Sequence, residues 1–154
     1  MLKAILVATG VAGTLDILSA FVFAGLAGTG PVQVLQFVAS GPLGDAALAS
    51  PSYAIAGTLV HYAIMACMVT VYMFAAQRMP ALLRNPVIAG IAYGLVLWFV
   101  MYWIVRPLRW ETLPPPSNPV AIAKQWVSHL LLVGLPIAFV ARRYLVLKAE
   151  LVPG

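Results

Sequence analysis

The chain has 154 residues, 63% hydrophobic and only 8% charged, with a formal net charge of +5 and a mean hydropathy of +1.00. Soluble domains carry about 25% charged residues, so this composition excludes a water-covered globule and predicts an integral membrane protein. The basic residues bracket apolar runs and form no patch, which excludes nucleic acid as a partner, and the single cysteine, Cys67, excludes an intrachain disulfide and a multi-cysteine metal site.

About 20 helical residues cross the hydrocarbon core. Four runs meet that length, at 4–26, 53–76, 87–105 and 121–140. The first follows Lys3 and contains Asp16. Its small residues around Ala24 resemble a signal-peptide cleavage region, but the run is longer than an h-region and carries a carboxylate, so a retained helix is expected.

The connection at 27–50 is long for a helix link. Gly30-Pro31 has the form of a helix start, Gly41-Pro42 of its end, and a second short piece is expected around Asp45 to Ala49. Two short interfacial helices over the outer end of the helices are predicted here. The second run opens at Tyr53 and contains His61, Met65, Met68 and Tyr72 at helical spacing. A copper(I) path would use such His and Met ligands; flexible packing is the plainer role of the methionines.

The connection at 77–86 is short and basic and makes runs two and three a hairpin. Run three contains Gly90 and Gly94 in GxxxG spacing; with Gly10 and Gly13 of run one they offer small surfaces for close packing, within the chain or in a homodimer. It ends in Trp98, Phe99, Tyr102, Trp103 and Arg106, an aromatic belt with a snorkelling arginine, or a cationic-aromatic mouth built on Tyr102, Trp103 and Arg106. Pro114-Pro115-Pro116 in the next loop favours a stiff spacer. In run four, Lys124 and Gln125 interrupt the start and are placed in the headgroup layer with Trp126 as anchor; Pro136 is expected to free the Leu132 carbonyl and kink the helix.

Basic residues set the orientation. With the N-terminus inside, Lys3, Arg78, Arg84, Arg142, Arg143 and Lys148 are inside, against Arg106, Arg109 and Lys124 outside. Both termini are therefore expected in the cytoplasm. The fold class that results is an all-α integral membrane protein: an antiparallel bundle of four transmembrane helices forming a single domain, with short interfacial helices in the first outer loop.

Three ionisable side chains remain inside the apolar runs: Asp16, His61 and His129. A charge at mid-bilayer costs at least about 2.5–3.5 kcal/mol, so such groups face a bundle interior or a wet cavity. At 1.5 Å per residue they lie roughly 15, 12 and 5–12 Å below the outer edge. Convergence of at least two of them into a ligand-binding or proton-relay site is expected, with Thr14, Ser19, Tyr62 and Ser128 near in sequence to extend it. The plainer role for each is a bond to a neighbouring hydroxyl or backbone carbonyl. Haem b, with His61 and His129 as axial ligands, is the cofactor alternative; otherwise neither cofactor nor metal is expected.

The Gly13-Thr14-Leu15-Asp16 helix, His61-Tyr62 in the second, the Trp103 to Pro107 end of the third, and His129 followed by Gly134-Leu135-Pro136 and Arg142-Arg143 together resemble small uncharacterised bacterial inner-membrane proteins with four predicted helices. That resemblance spans most of the chain and implies a location but no activity. Small multidrug transporters also carry an acidic residue in the first of four helices, but with shorter helices and loops. The expected function is a non-enzymatic binding or accessory membrane protein, alone, as a homodimer or in a larger complex, with a buried polar site for a small ligand, lipid or partner helix. The rivals are a proton- or ion-coupled carrier and a haem- or quinone-binding redox protein. No nucleophile-base motif or phosphate loop supports a hydrolase or transferase.

Overall fold

The computed structural model describes residues 1–113 and 116–150; within the proline run, Pro114 and Pro115 lie outside the described residues, as does the side chain of Lys148. The described chain is helical, with no strand. Four helices are long and apolar enough to cross a membrane: Leu2–Gly25, Tyr53–Arg78, Pro86–Arg109 and Pro119–Val146. By length and composition this is a multi-pass membrane protein.

Helix α1 (Leu2–Gly25) is the first span. It is followed by α2 (Pro31–Leu43) and a 3₁₀ turn (Asp45–Leu48). The start of α2 matches its sequence signals: Pro31 fills the first turn, and Gln33 Oε1 accepts from the Gly30 amide at 2.7 Å. Its end does not, because the helix continues through Gly41-Pro42 and stops at Gly44 with φ +78°. A proline in the last turn removes a single backbone bond near the end, where the helix tolerates it better than at its centre. α2 lies against the opening of α3 (Tyr53–Arg78), where the absent Cβ of Gly57 admits the Leu35 carbonyl.

The connection between the second and third long helices holds one turn, α4 (Ala81–Arg84). The third span is α5 (Pro86–Phe99), a π-helical stretch (Val100–Val105) and α6 (Arg106–Arg109). The fourth is α7 (Pro119–Trp126), a π-helical stretch (Val127–Gly134) and α8 (Leu135–Glu150). Each wide stretch ends just before a proline, Pro107 or Pro136, and shows the i to i−5 bond in Arg106 N–H to Met101 O and Leu135 N–H to Leu130 O. The π turns shift the backbone pairing beside residues whose nitrogen has no hydrogen to donate. At Pro136, where the sequence predicts a freed Leu132 carbonyl and a kink, the backbone leading up to the proline is π-helical. The helices of spans three and four also run past their expected ends, to Arg109 and Glu150.

Ala4, Ala8 and Ala12 form a buried stripe on α1. With Met65, Val69, Tyr72, Met73 and Ala76 of α3, and Val133, Ile137, Ala138 and Ala141 of the fourth span, they belong to one core. Small residues on α1 let neighbouring backbones approach, and close packing supplies the attraction that water cannot supply in lipid. Met65 and Tyr72 therefore take the packing role. Outward-facing side chains are apolar as well, among them Leu18, Val22, Ile55, Leu59, Val71 and Ile88.

Gly90 and Gly94 press on the backbone of the fourth span, at Gly134 and at the His129 carbonyl. Their GxxxG spacing joins helices of the same chain. Gly13 makes room for the Tyr62 ring, whereas Gly10 faces open space and contributes no contact.

Candidate ligand cleft

A cleft of about 500 Å³ lies between the first, third and fourth spans. Asp16, Ala20, Phe23 and Ala24 form its α1 wall, at the i, i+4, i+7, i+8 spacing of one helix face. Val120, Ala121, Lys124, Gln125, Ser128 and His129 form the facing wall with the same periodicity, Tyr102 closes a third side, and Asn118 stands at the rim.

The inner part of the cleft is polar. Asp16 is half-buried, and among the described residues no hydrogen bond or ion pair engages its carboxylate. His129 donates from Nδ1 to the Gln125 carbonyl at 3.0 Å, because a carbonyl can only accept. Neutral His129 then keeps Nε2 as its acceptor. The Tyr102 ring meets the imidazole edge-on at 5.7 Å, and Arg106 Cζ lies 5.8 Å from the centre of that ring. Tyr102 and His129 both sit in π-helical stretches, a feature frequent at functional sites.

Two serines join the walls. Ser19 donates to the Asp16 carbonyl at 2.8 Å, and its Oγ lies 2.7 Å from Ser128 Oγ. Ser128 Oγ also lies 3.3 Å from the Lys124 carbonyl, so one of the two hydroxyls donates across the pair while the other donates to its own helix carbonyl.

The outer part of the cleft carries donors. Asn118 Oδ1 caps α7 by accepting from the Val120 and Ala121 amides at 2.9 and 3.2 Å. Gln125 Oε1 accepts from Trp98 Nε1 at 2.9 Å. Asn118 Oδ1 has both lone pairs engaged and Gln125 Oε1 one of its two, while the side-chain N–H groups of both have no partner among the described residues. Lys124 Nζ stands 5.8 Å from the centre of the Phe23 ring.

Asp16, His129 and Tyr102 share this cleft, but His61, Trp103 and Arg106 are not among its lining. His61 is buried and donates from Nε2 to the Gly13 carbonyl at 2.8 Å, while the adjacent Tyr62 hydroxyl lies 2.8 Å from Thr14 Oγ1. His61-Tyr62 therefore joins α3 to α1. A haem held by both histidines does not fit this arrangement, since the Nε2 of one is bonded to a helix carbonyl outside the cleft. No group of three His, Cys, Asp or Glu side chains suited to a metal ion occurs among the described residues. Trp103 is half exposed at the perimeter and stacks on Phe99.

Lys124 and Gln125, placed by their sequence position in the headgroup layer, line the cleft. The signal for the wall was the polar spacing Lys124, Gln125, Ser128, His129, which falls on one helical face.

No family model, no curated protein and no solved structure matches this chain.

Proposed function

We propose that this is a non-enzymatic, ligand-binding membrane protein whose site is the cleft between Asp16 and His129. The observation that carries this reading is the Asp16 carboxylate, set in a cleft of about 500 Å³ without a protein partner among the described residues. A carboxylate in a membrane span is costly unless something answers its charge. A bound ligand or water fills that role.

In this reading the four spans form an antiparallel bundle in a bacterial inner membrane with both termini in the cytoplasm. Support comes from the bond between Arg109, at the end of the third span, and Asp45, in the first connection, which brings those two regions to one end of the molecule. The basic residues at the opposite ends of the spans favour that side as cytoplasmic. The resemblance to small bacterial inner-membrane proteins points the same way.

The test is retention. Native mass spectrometry of the protein released from mild detergent is expected to show a bound small molecule or lipid that is lost in Asp16→Asn. A ligand-free wild type, or equal retention in both proteins, would count against the cleft as the site.

A proton-coupled carrier is the second reading, favoured by one feature: Asp16 and His129, both able to exchange protons, line the same cleft. Flux in proteoliposomes that is abolished in Asp16→Asn supports it; equal flux removes Asp16 from coupling. Haem or quinone chemistry draws no comparable support.

A further inference from the structure

We infer that the cleft takes a small zwitterion whose ammonium group sits at Asp16 and His129 and whose anionic group sits at Lys124, with Gln125 beside it and Asn118 toward the rim. This rests on the cleft being the ligand site. The chemistry of the two ends is opposite. At the inner end, the carboxylate of Asp16 and the Nε2 of neutral His129 are acceptors. At the outer end, Lys124 offers only donors. Asn118 and Gln125 accept through their oxygens from the α7 amides and from Trp98, and their side-chain N–H groups are left without a protein partner among the described residues.

An anion alone would meet the outer donors and leave Asp16 uncompensated. An amine alone would meet Asp16 and leave the donors unmatched. A molecule carrying both charges answers both ends, and charge-assisted hydrogen bonds are the strong ones.

Separation sets the size. Phe23, beneath the Lys124 ammonium, is seven residues beyond Asp16, or on the order of 10 Å along the helix. The two charges of an α-amino acid are too close to reach both ends. An ω-amino acid or a short peptide is long enough. Ala20, one turn beyond Asp16 on the same wall, suits an apolar spacer.

The experiment uses the full chain in detergent and three probes of similar length: 6-aminohexanoate, hexylamine and hexanoate. Calorimetric titration is expected to show 6-aminohexanoate binding at least tenfold more tightly than either singly charged probe. Asp16→Asn should reduce its affinity to that of hexanoate, and Lys124→Gln to that of hexylamine. Lys124 stands near the rim, so its variant keeps the test readable if Asp16→Asn fails to fold. Native mass spectrometry adds a lipid arm: phosphatidylethanolamine retained by wild type and lost from both variants assigns the same ammonium-anion chemistry to a lipid headgroup. Equal affinity for hexylamine and 6-aminohexanoate overturns the zwitterion but leaves an Asp16-dependent cleft. Failure of all three probes, with no such lipid retained, overturns the inference; retention of another molecule dependent on Asp16 would still leave the cleft as the site.

Discussion

Gly94 of α5 lies directly against the carbonyl of His129, so closely that a Cβ at position 94 would overlap that oxygen and come within 2.9 Å of the carbonyl carbon. The contact places the π-helical stretch that carries His129 flush with the third span. Gly90 and Gly134 repeat it one turn away. Substituting Gly94→Ala should therefore displace the backbone at His129 and Leu130, because all three obstructing atoms, the His129 carbonyl oxygen and carbon and Leu130 Cα, belong to the main chain. Overpacking of this kind costs about 1–3 kcal/mol, and ligand retention should fall with stability. Gly10→Ala is the control. It faces open space, so the change should be neutral or stabilising by up to about 1 kcal/mol. Thermal unfolding in detergent followed by tryptophan fluorescence reads both; equal melting of the two variants would refute the packing argument.

Arg109 connects the end of the third span to the first connection. Its Nη2 contacts Asp45 at 2.7 Å, and its Nε approaches the Ser40 and Gly41 carbonyls at 2.9 and 3.0 Å. Trp110 stacks on Phe37 at 4.5 Å beside it. Asp45 is 77% exposed, so the ion pair itself is worth only about 0–1 kcal/mol. The carbonyl bonds from a charged donor are worth about 1.5–3 kcal/mol. Asp45→Asn should leave the amides of α2 nearly as protected from hydrogen exchange as before, whereas Arg109→Gln should expose them. Comparable loss in the two variants would mean that the ion pair dominates.

The spans were legible because their signal is composition over some twenty residues, and lipid demands little else of a helix exterior. The short elements of the first connection were legible from Gly30-Pro31 and Asp45. Their docking was not, since it depends on Arg109, which is 64 positions from Asp45 in sequence. The cleft was partly legible: Asp16, Tyr102 and His129 line it, and His61, Trp103 and Arg106 do not. Depth alone assigned Asp16, His61 and His129 to one zone, but depth carries no information on helix rotation. Rotation is set by where glycines let backbones meet. Gly13 brings α3 close enough for His61 to be bonded to α1, and Gly94 seats the stretch that carries His129. The π-helical stretches add a further shift that a regular helical wheel does not anticipate.

The two histidines should differ in what their loss does. His61 bonds the Gly13 carbonyl and is 8% exposed. His61→Ala leaves a hole between α1 and α3 and removes a buried bond, at a cost of about 1–3 kcal/mol. Affinity in the folded fraction should stay within twofold of wild type. His129→Gln keeps a polar side chain beside the cleft but takes away the imidazole Nε2. Stability should change less than in His61→Ala, while affinity for 6-aminohexanoate should drop at least fivefold. Parallel melting and titration of the two variants checks this, and the reverse pattern would move the site from His129 to His61.

Orientation is open to a direct test in cells. Replacing Cys67 with serine leaves no native cysteine, and Cys67 is exposed on α3 and makes no disulfide. In that background, single cysteines at Lys3, Asp45 and Arg143 report on three ends of the spans. Asp45 is 77% exposed, in the connection that Arg109 binds. If the basic residues set the topology, a membrane-impermeant maleimide added to intact bacterial spheroplasts should label Asp45→Cys alone. Lys3→Cys and Arg143→Cys should react only after the membrane is permeabilised. Labelling of the terminal positions in intact spheroplasts would invert the protein. It would also turn the rim of the cleft, marked by Asn118 and Lys124, toward the cytoplasm, so that its ligand would come from inside the cell.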